Sequence, residues 1–156
     1  MGDQKTSTFL VTHVESGSAI LKDVHDGQVH TLDATDEFAV DDAVEATIAP
    51  EPPLELTYRV VELEERWPLS IEHSEEPPTA HERAIAADQP TGELTQEPRA
   101  GIGEIHVLSP PEDATDAAAD DLLKDRESTL SRAARLGVNR VEIRTDPGVL
   151  SVRYLP

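Results

Sequence analysis

Alternating apolar and polar residues, broken by glycine-bearing corners, confine the first half of this chain to short antiparallel strands. TFLVTHVE sets Phe9 and Val11 against Leu10 and Val14, SAILKDV follows a Ser16-Gly17 corner, and QVHTLDA follows Asp26-Gly27. An Asp-Gly pair between two alternating runs is a strong short-range hairpin signal, because both residues tolerate the positive φ that a tight strand reversal demands. Two further runs, DAVEATIA and LELTYRVVELEE, flank the stiff spacer PEPP. In the second of these the apolar phase slips between Val60 and Val61, which predicts a bulge that helps a sheet curl. Five short strands with one bulged predict a small five-stranded β-barrel of OB-like type over residues 1–76, since closure removes exposed edges. Only TDEFAVD separates the third and fourth strands, too short for a full helix.

The texture then changes. Residues 77–103 carry four prolines (77, 78, 90 and 98) and three glycines, and read as a connecting segment with one short helix from Thr79, where Glu82 completes a capping box. Residues 104–156 read as a β-α-β-β module, so the whole chain is expected to be α+β. GEIHVLS is its first strand; a helix opens at Pro110-Pro111 with acids in its first turn, and RESTLSRAARLG continues or restarts it and stops at Gly137. NRVEIRTDPGVLSVRYL is a hairpin around Asp146-Pro147-Gly148, and Leu130, Ala133, Ala134 and Leu136 are expected to cover one face of its sheet.

Charge separates the ends of the chain. Its 32 acids and 13 bases give a formal net charge of −19, with only three lysines (Lys5, Lys22, Lys124). Such an acid-rich, lysine-poor surface suits a protein kept hydrated in molar salt, where screening acts over about 3 Å at 1 M. No stretch approaches the roughly 18 to 20 apolar residues of a membrane helix. The start MGDQKTSTFL lacks an apolar core of signal-peptide length, so a cytoplasmic, non-membrane protein is expected. Cysteine is absent, which removes disulfides, thiolate metal sites and cysteine nucleophiles together. Yet residues 126–156 hold six arginines against three acids.

Alternation along the final hairpin sends Val141, Ile143, Leu150, Val152 and Tyr154 toward the helix, and Arg140, Glu142, Arg144, Ser151 and Arg153 to the other face. With Pro147-Gly148 alone in the loop, Arg153 faces Glu142; with Thr145 to Gly148 in the loop, Arg140 faces Arg153. An L-Pro-Gly pair twists against a hairpin, which selects the longer loop and makes Arg140, Arg144 and Arg153 a guanidinium patch suited to phosphate or carboxylate, with Arg132 and Arg135 near the helix end. On that reading the protein binds RNA or a ribonucleoprotein without catalysis and without a cofactor. The alternative pairs these arginines with acids elsewhere in the chain and makes the protein a protein–protein adaptor docking through the barrel edge or Trp67, which precedes a proline at a strand end.

The barrel itself is a poor strand-binding groove, since residues 1–76 carry four bases against 18 acids. Enzyme signals are thin. The six histidines (13, 25, 30, 73, 81, 106) show no helical metal-ligand spacing, GIGEI precedes a strand rather than following one, and no serine sits in a nucleophile elbow. A small hydrolase is the third alternative and needs a cleft where His13 or His30 meets acids. The stretches TFLVTHV, APEPPLEL, RAARLGVNRVEIR and SVRYLP resemble an uncharacterised family of haloarchaeal proteins, which implies a salty cytosol but assigns no activity to any residue. FAVDDAVEATI is similar to the strand entry of RNA-binding small barrels such as TRAM and S1 domains, with Asp41 where those barrels usually have Gly.

Overall fold

The computed structural model describes residues 3–33 and 38–156. Among them lie ten strands in two five-stranded sheets and three α-helices, an α+β protein. The chain divides into two compact units, Met1–Leu69 with Leu130–Arg135, and Ser70–Thr129 with Leu136–Pro156.

The first unit holds β1 (Lys5–Glu15), β2 (Ser18–Asp23), β3 (Val29–Asp33), β4 (Asp42–Pro50) and β5 (Tyr58–Pro68). β1 pairs with β2 and β4, β2 with β3 and β4 with β5, all antiparallel. A single parallel pairing of Leu32 with Tyr58 joins β3 to β5 and closes the order β1-β2-β3-β5-β4 into a barrel. Inward alternation buries Phe9, Val11, Leu21, Leu32, Val44 and Ile48 with Phe38. Each such side chain contributes roughly 1.5–3 kcal/mol by leaving water.

The bulge falls where the phase slips. Val60 pairs with Ile48 and Glu62 with Thr47, which leaves Val61 as the extra residue; a second slip leaves out Glu64 between Leu63 and Glu65. The β2–β3 corner is longer than the expected two residues. Its wider loop is built on Asp23, whose backbone N–H donates to Gln28 O at 2.8 Å and whose Oδ1 accepts from the backbone N–H of His25 at 2.8 Å and of Asp26 at 3.3 Å. A carboxylate that caps a corner makes the larger loop stable. β5 starts at Tyr58, so the LEL expected in that strand belongs to the loop before it. Within the TDEFAVD connection, residues 34–37 lie outside the described residues.

The second unit holds β6 (Ser70–His73), α1 (Ala80–Ala87), β7 (Leu94–Pro98), β8 (Glu104–Leu108), α2 (Thr115–Lys124), β9 (Arg140–Asp146) and β10 (Val149–Leu155) in the sheet order β6-β9-β10-β8-β7, with β6 parallel to β9. The stretch expected as a linker over residues 77–103 therefore supplies α1 and an edge strand, and Ser70–His73, expected with the barrel, supplies the other edge. Proline misleads here because it punctuates rather than loosens. Pro77 and Pro78 precede the Thr79 cap, and Pro98 ends an edge strand where a missing N–H costs little. The capping box forms as expected.

Of the two courses open to the helical stretch, continuation or restart, the chain takes the second: it breaks at Asp125 (φ −102°, ψ 64°), which separates α2 from α3 (Glu127–Leu136). That break redirects the chain. α2 lies against β6, β9 and β10, whereas Leu130–Arg135 of α3 groups with the first unit.

Candidate functional site

The final hairpin keeps the expected faces but takes the other register. Asp146 pairs with Val149 and Glu142 with Arg153, leaving only Pro147-Gly148 in the loop. Gly148 has φ 81° directly after the proline, which fits a type II corner. The twist of Pro-Gly argued for a longer loop; the cross-strand Glu142–Arg153 pair, in place of an Arg140–Arg153 repulsion, weighs more.

This register disperses the arginines. Glu142 Oε1 accepts from Arg144 Nε at 2.6 Å and from Arg153 Nη1 at 2.8 Å. Arg144 Nη2 reaches Glu76 at 2.9 Å, and Arg153 Nε lies 3.3 Å from the buried carboxylate of Glu82. Burial pushes the Glu142 carboxyl up, but Arg144 and then Arg153 outweigh it and hold the group below the ordinary glutamate range. Arg140 is exposed at the start of β9, four residues before Arg144 on the same face. Arg135 Nη1 donates to Val24 O at 2.8 Å within the first unit, where Arg132 also lies. Trp67 is half-buried in β5 opposite Ala43. Arg144 and Arg153 are brought together through the Glu142 carboxylate they share.

A second constellation, not singled out in the sequence, occupies one end of the barrel. Lys5 Nζ stands 3.0 Å from Asp23 Oδ2, 2.8 Å from Asp26 Oδ2, 3.3 Å from Gln28 Oε1 and 3.0 Å from His30 Nε2. Asp23 and His30 are buried although both are polar. Burial opposes the Asp23 charge, yet the His25 N–H, Lys5, Ser7 and the Asp26 N–H together lower its pKa. The Lys5 hydrogen bond lowers Asp26 likewise. At the same end the β4–β5 loop presents Leu54 at 74% and Leu56 at 77% exposure, and Val29 at the start of β3 is 62% exposed. The signal for this loop is visible in the sequence only as two leucines in PPLEL that fit no strand alternation.

Among the described residues no cluster of His, Asp or Glu is arranged to hold a metal, and no helix is long and apolar enough to cross a membrane. Neither a curated protein nor a solved structure matches the chain. A family model does match, over residues 5–145, which takes in the barrel, both edge strands of the second sheet and most of β9. With nine-tenths of its length inside that match, the chain belongs to the family of unknown function DUF5812.

Proposed function

We propose that this protein is a non-catalytic docking module that holds a protein partner at the end of its barrel, with the arginines of the C-terminal hairpin as internal struts. The observation that carries this reading is the β4–β5 loop. Two leucines stand three-quarters exposed on a segment that is nevertheless fixed by its own bonds: Glu51 N–H to Thr57 O at 2.8 Å, Glu55 N–H to Glu51 O at 2.9 Å and Arg59 to Glu51 at 3.6 Å. Exposed apolar side chains on a pre-ordered loop bind at low entropic cost, which otherwise runs to about 0.5–1.5 kcal/mol per immobilised side chain. Glu55 stands between the two leucines on a chain of net charge −19, so the complementary partner is an apolar segment that also carries Lys or Arg.

The strand order with its parallel β3–β5 closure supports an OB-like reading of the barrel, and the acid excess supports a halophilic cytoplasmic setting. RNA binding through Arg140, Arg144 and Arg153 is less well supported, because a phosphate would have to displace the carboxylates already held by two of the three. For a hydrolase, His30 does meet acids, but its Nε2 lone pair is already taken up by the Lys5 ammonium and is not open to take a proton from a nucleophile.

The test uses fluorescent peptides that alternate leucine and lysine, titrated in about 1 M KCl so that non-specific attraction is screened. Saturable binding that is lost in L54S/L56S at unchanged melting temperature, and kept in R144M/R153M at a lowered one, is the expected outcome. No saturable binding, or binding indifferent to the two leucines, overturns the proposal.

A further inference from the structure

The Lys5 cluster braces, from the flanking strands, the base of the loop that carries those leucines, whose ends Pro50 and Tyr58 also pair in the β4–β5 ladder. Lys5 pairs with Ile48, two residues before the end of β4, and the ring of His30 packs edge-on against Tyr58, the first residue of β5, at 4.7 Å and 77°. A bond between Lys5 and His30 thus spans the base of the loop from one strand to the other. That bond dictates a protonation state. A lysine ammonium offers protons and no lone pair, so His30 Nε2, 3.0 Å away, must be the acceptor, and the ring is neutral with its proton on Nδ1.

Around the ring, β1 contributes Lys5 and the ring of Phe9, the β2 end and its corner contribute the charges of Asp23 and Asp26, and β5 contributes Tyr58. With the ring neutral, Lys5, Asp23 and Asp26 sum to −1, and one added proton brings the cluster to zero. The two aspartates therefore do not oppose proton uptake. What opposes it is the burial of the ring and then the direct Lys5 contact, since two N–H donors cannot share the space one hydrogen bond occupies. Asp26, exposed and on the corner, is placed to turn from Lys5 to an imidazolium.

We propose that His30 is an acid-operated latch on the docking loop: proton uptake by its ring expels Lys5 from between Asp23 and Asp26 and frees the base of the β4–β5 loop. The latch is a property of the free chain; only its consequence for docking rests on the reading of the loop as a partner site. Burial, and after it Lys5, holds the ring below its ordinary 6.5, with Asp26 and Asp23 acting the other way, so release falls on the acid side of 6.5.

The test is an NMR titration of the imidazole nitrogens in the full chain, read alongside hydrogen exchange of the Glu51 amide that closes the loop on Thr57. The expected result is an Nδ1–H tautomer at neutral pH, a His30 midpoint below 6.5, and Glu51 protection that falls about tenfold through that same midpoint. Lys5→Met should raise the midpoint, and His30→Gln should leave Glu51 protection flat with pH. An Nε2–H tautomer, a midpoint at or above 6.5, or Glu51 protection that ignores it overturns the latch. None of these readouts involves a partner, so the latch can fail while peptide binding at Leu54 and Leu56 stands, and the reverse.

Discussion

Glu82 and Arg153 meet 3.3 Å apart at the first turn of α1, where the glutamate is fully buried and the arginine side chain 17% exposed. Each has a second task. Glu82 Oε1 accepts the Thr79 N–H at 2.8 Å and so closes the helix cap, while Arg153 Nη1 donates to Glu142 on β9 at 2.8 Å. One cation thereby joins a helix terminus to two strands and neutralises two carboxylates of the same unit. Removing it takes this cation from the buried Glu82 carboxylate and leaves Glu142 with Arg144, which costs about 3–5 kcal/mol, most of it at Glu82. Arg153→Met should show that loss in urea unfolding. Arg144→Met should cost less, roughly 1–3 kcal/mol, because Glu142 keeps Arg153 and the other partner, Glu76, is largely exposed. The reverse ranking would show that Arg153 is not the keystone of this network.

Gly103 sits just before β8 at φ 105°, and a Cβ there would overlap the carbonyl oxygen of Tyr154 on β10. Gly101, two residues earlier at φ 90°, has open space around the same position. Alanine at 101 therefore meets only the backbone penalty of a left-handed residue, about 1–2 kcal/mol. Alanine at 103 meets that penalty and must also push apart the β8–β10 ladder. Thermal melts of the two single variants should place Gly103→Ala clearly below Gly101→Ala, and equal melting temperatures would refute the clash.

How much of this was legible in the sequence depended on the range of the interactions that decide each feature. The Thr79–Glu82 box and the Val61 bulge follow from spacings of a few residues, and the structure has both. The hairpin faces followed from alternation, but its register did not, because a local twist preference competes there with a charge pair eleven residues apart. The second edge of the sheet was hidden for the opposite reason. Pro98 closes a strand whose pairing partner lies across a tight corner, and proline density alone cannot distinguish an edge strand from a linker. The Lys5 cluster joins residues 18 to 25 positions apart from different strands, and only the barrel register brings them to one point.

Acid should unfold this protein in two stages whose order follows from the shifted groups. His30 is held below 6.5, so the unfolded chain takes up that proton first; the stability due to the neutral ring is complete above 6.5 and is lost as pH falls toward the folded value. Asp23, Asp26 and Glu142 are lowered from 3.8, 3.8 and 4.5, so their contribution is complete above those values and is lost only as pH falls further. Lys5 is raised from 10.5, so its share is present below 10.5 and is lost as pH rises through the folded value. Urea midpoints measured from pH 8 down to pH 3 should therefore fall gently below 6.5 and steeply near 4. His30→Gln should abolish the first stage and spare the second; a single acid transition unchanged by that substitution would refute the assignment.

Salt should act most on like charges that the fold sets face to face. Glu65 on β5 pairs directly with Glu45 on β4, and Glu62 and Glu64 stand exposed beside them. Like charges directly opposite in a ladder destabilise it, by amounts of the order of the 0.2–1 kcal/mol that favourable pairs contribute. The pair lies on the solvent side, so its repulsion is screened once the Debye length shrinks from about 10 Å at 0.1 M to about 3 Å at 1 M. Glu65→Gln should raise the melting temperature at 0.1 M KCl, and that gain should shrink toward zero at 2 M as the wild-type protein gains the same stabilisation from salt. The Arg153→Met deficit, arising from buried groups, should hardly change across the same range. A Glu65→Gln gain that persists at 2 M would point to altered packing of β5 and remove charge repulsion as its cause.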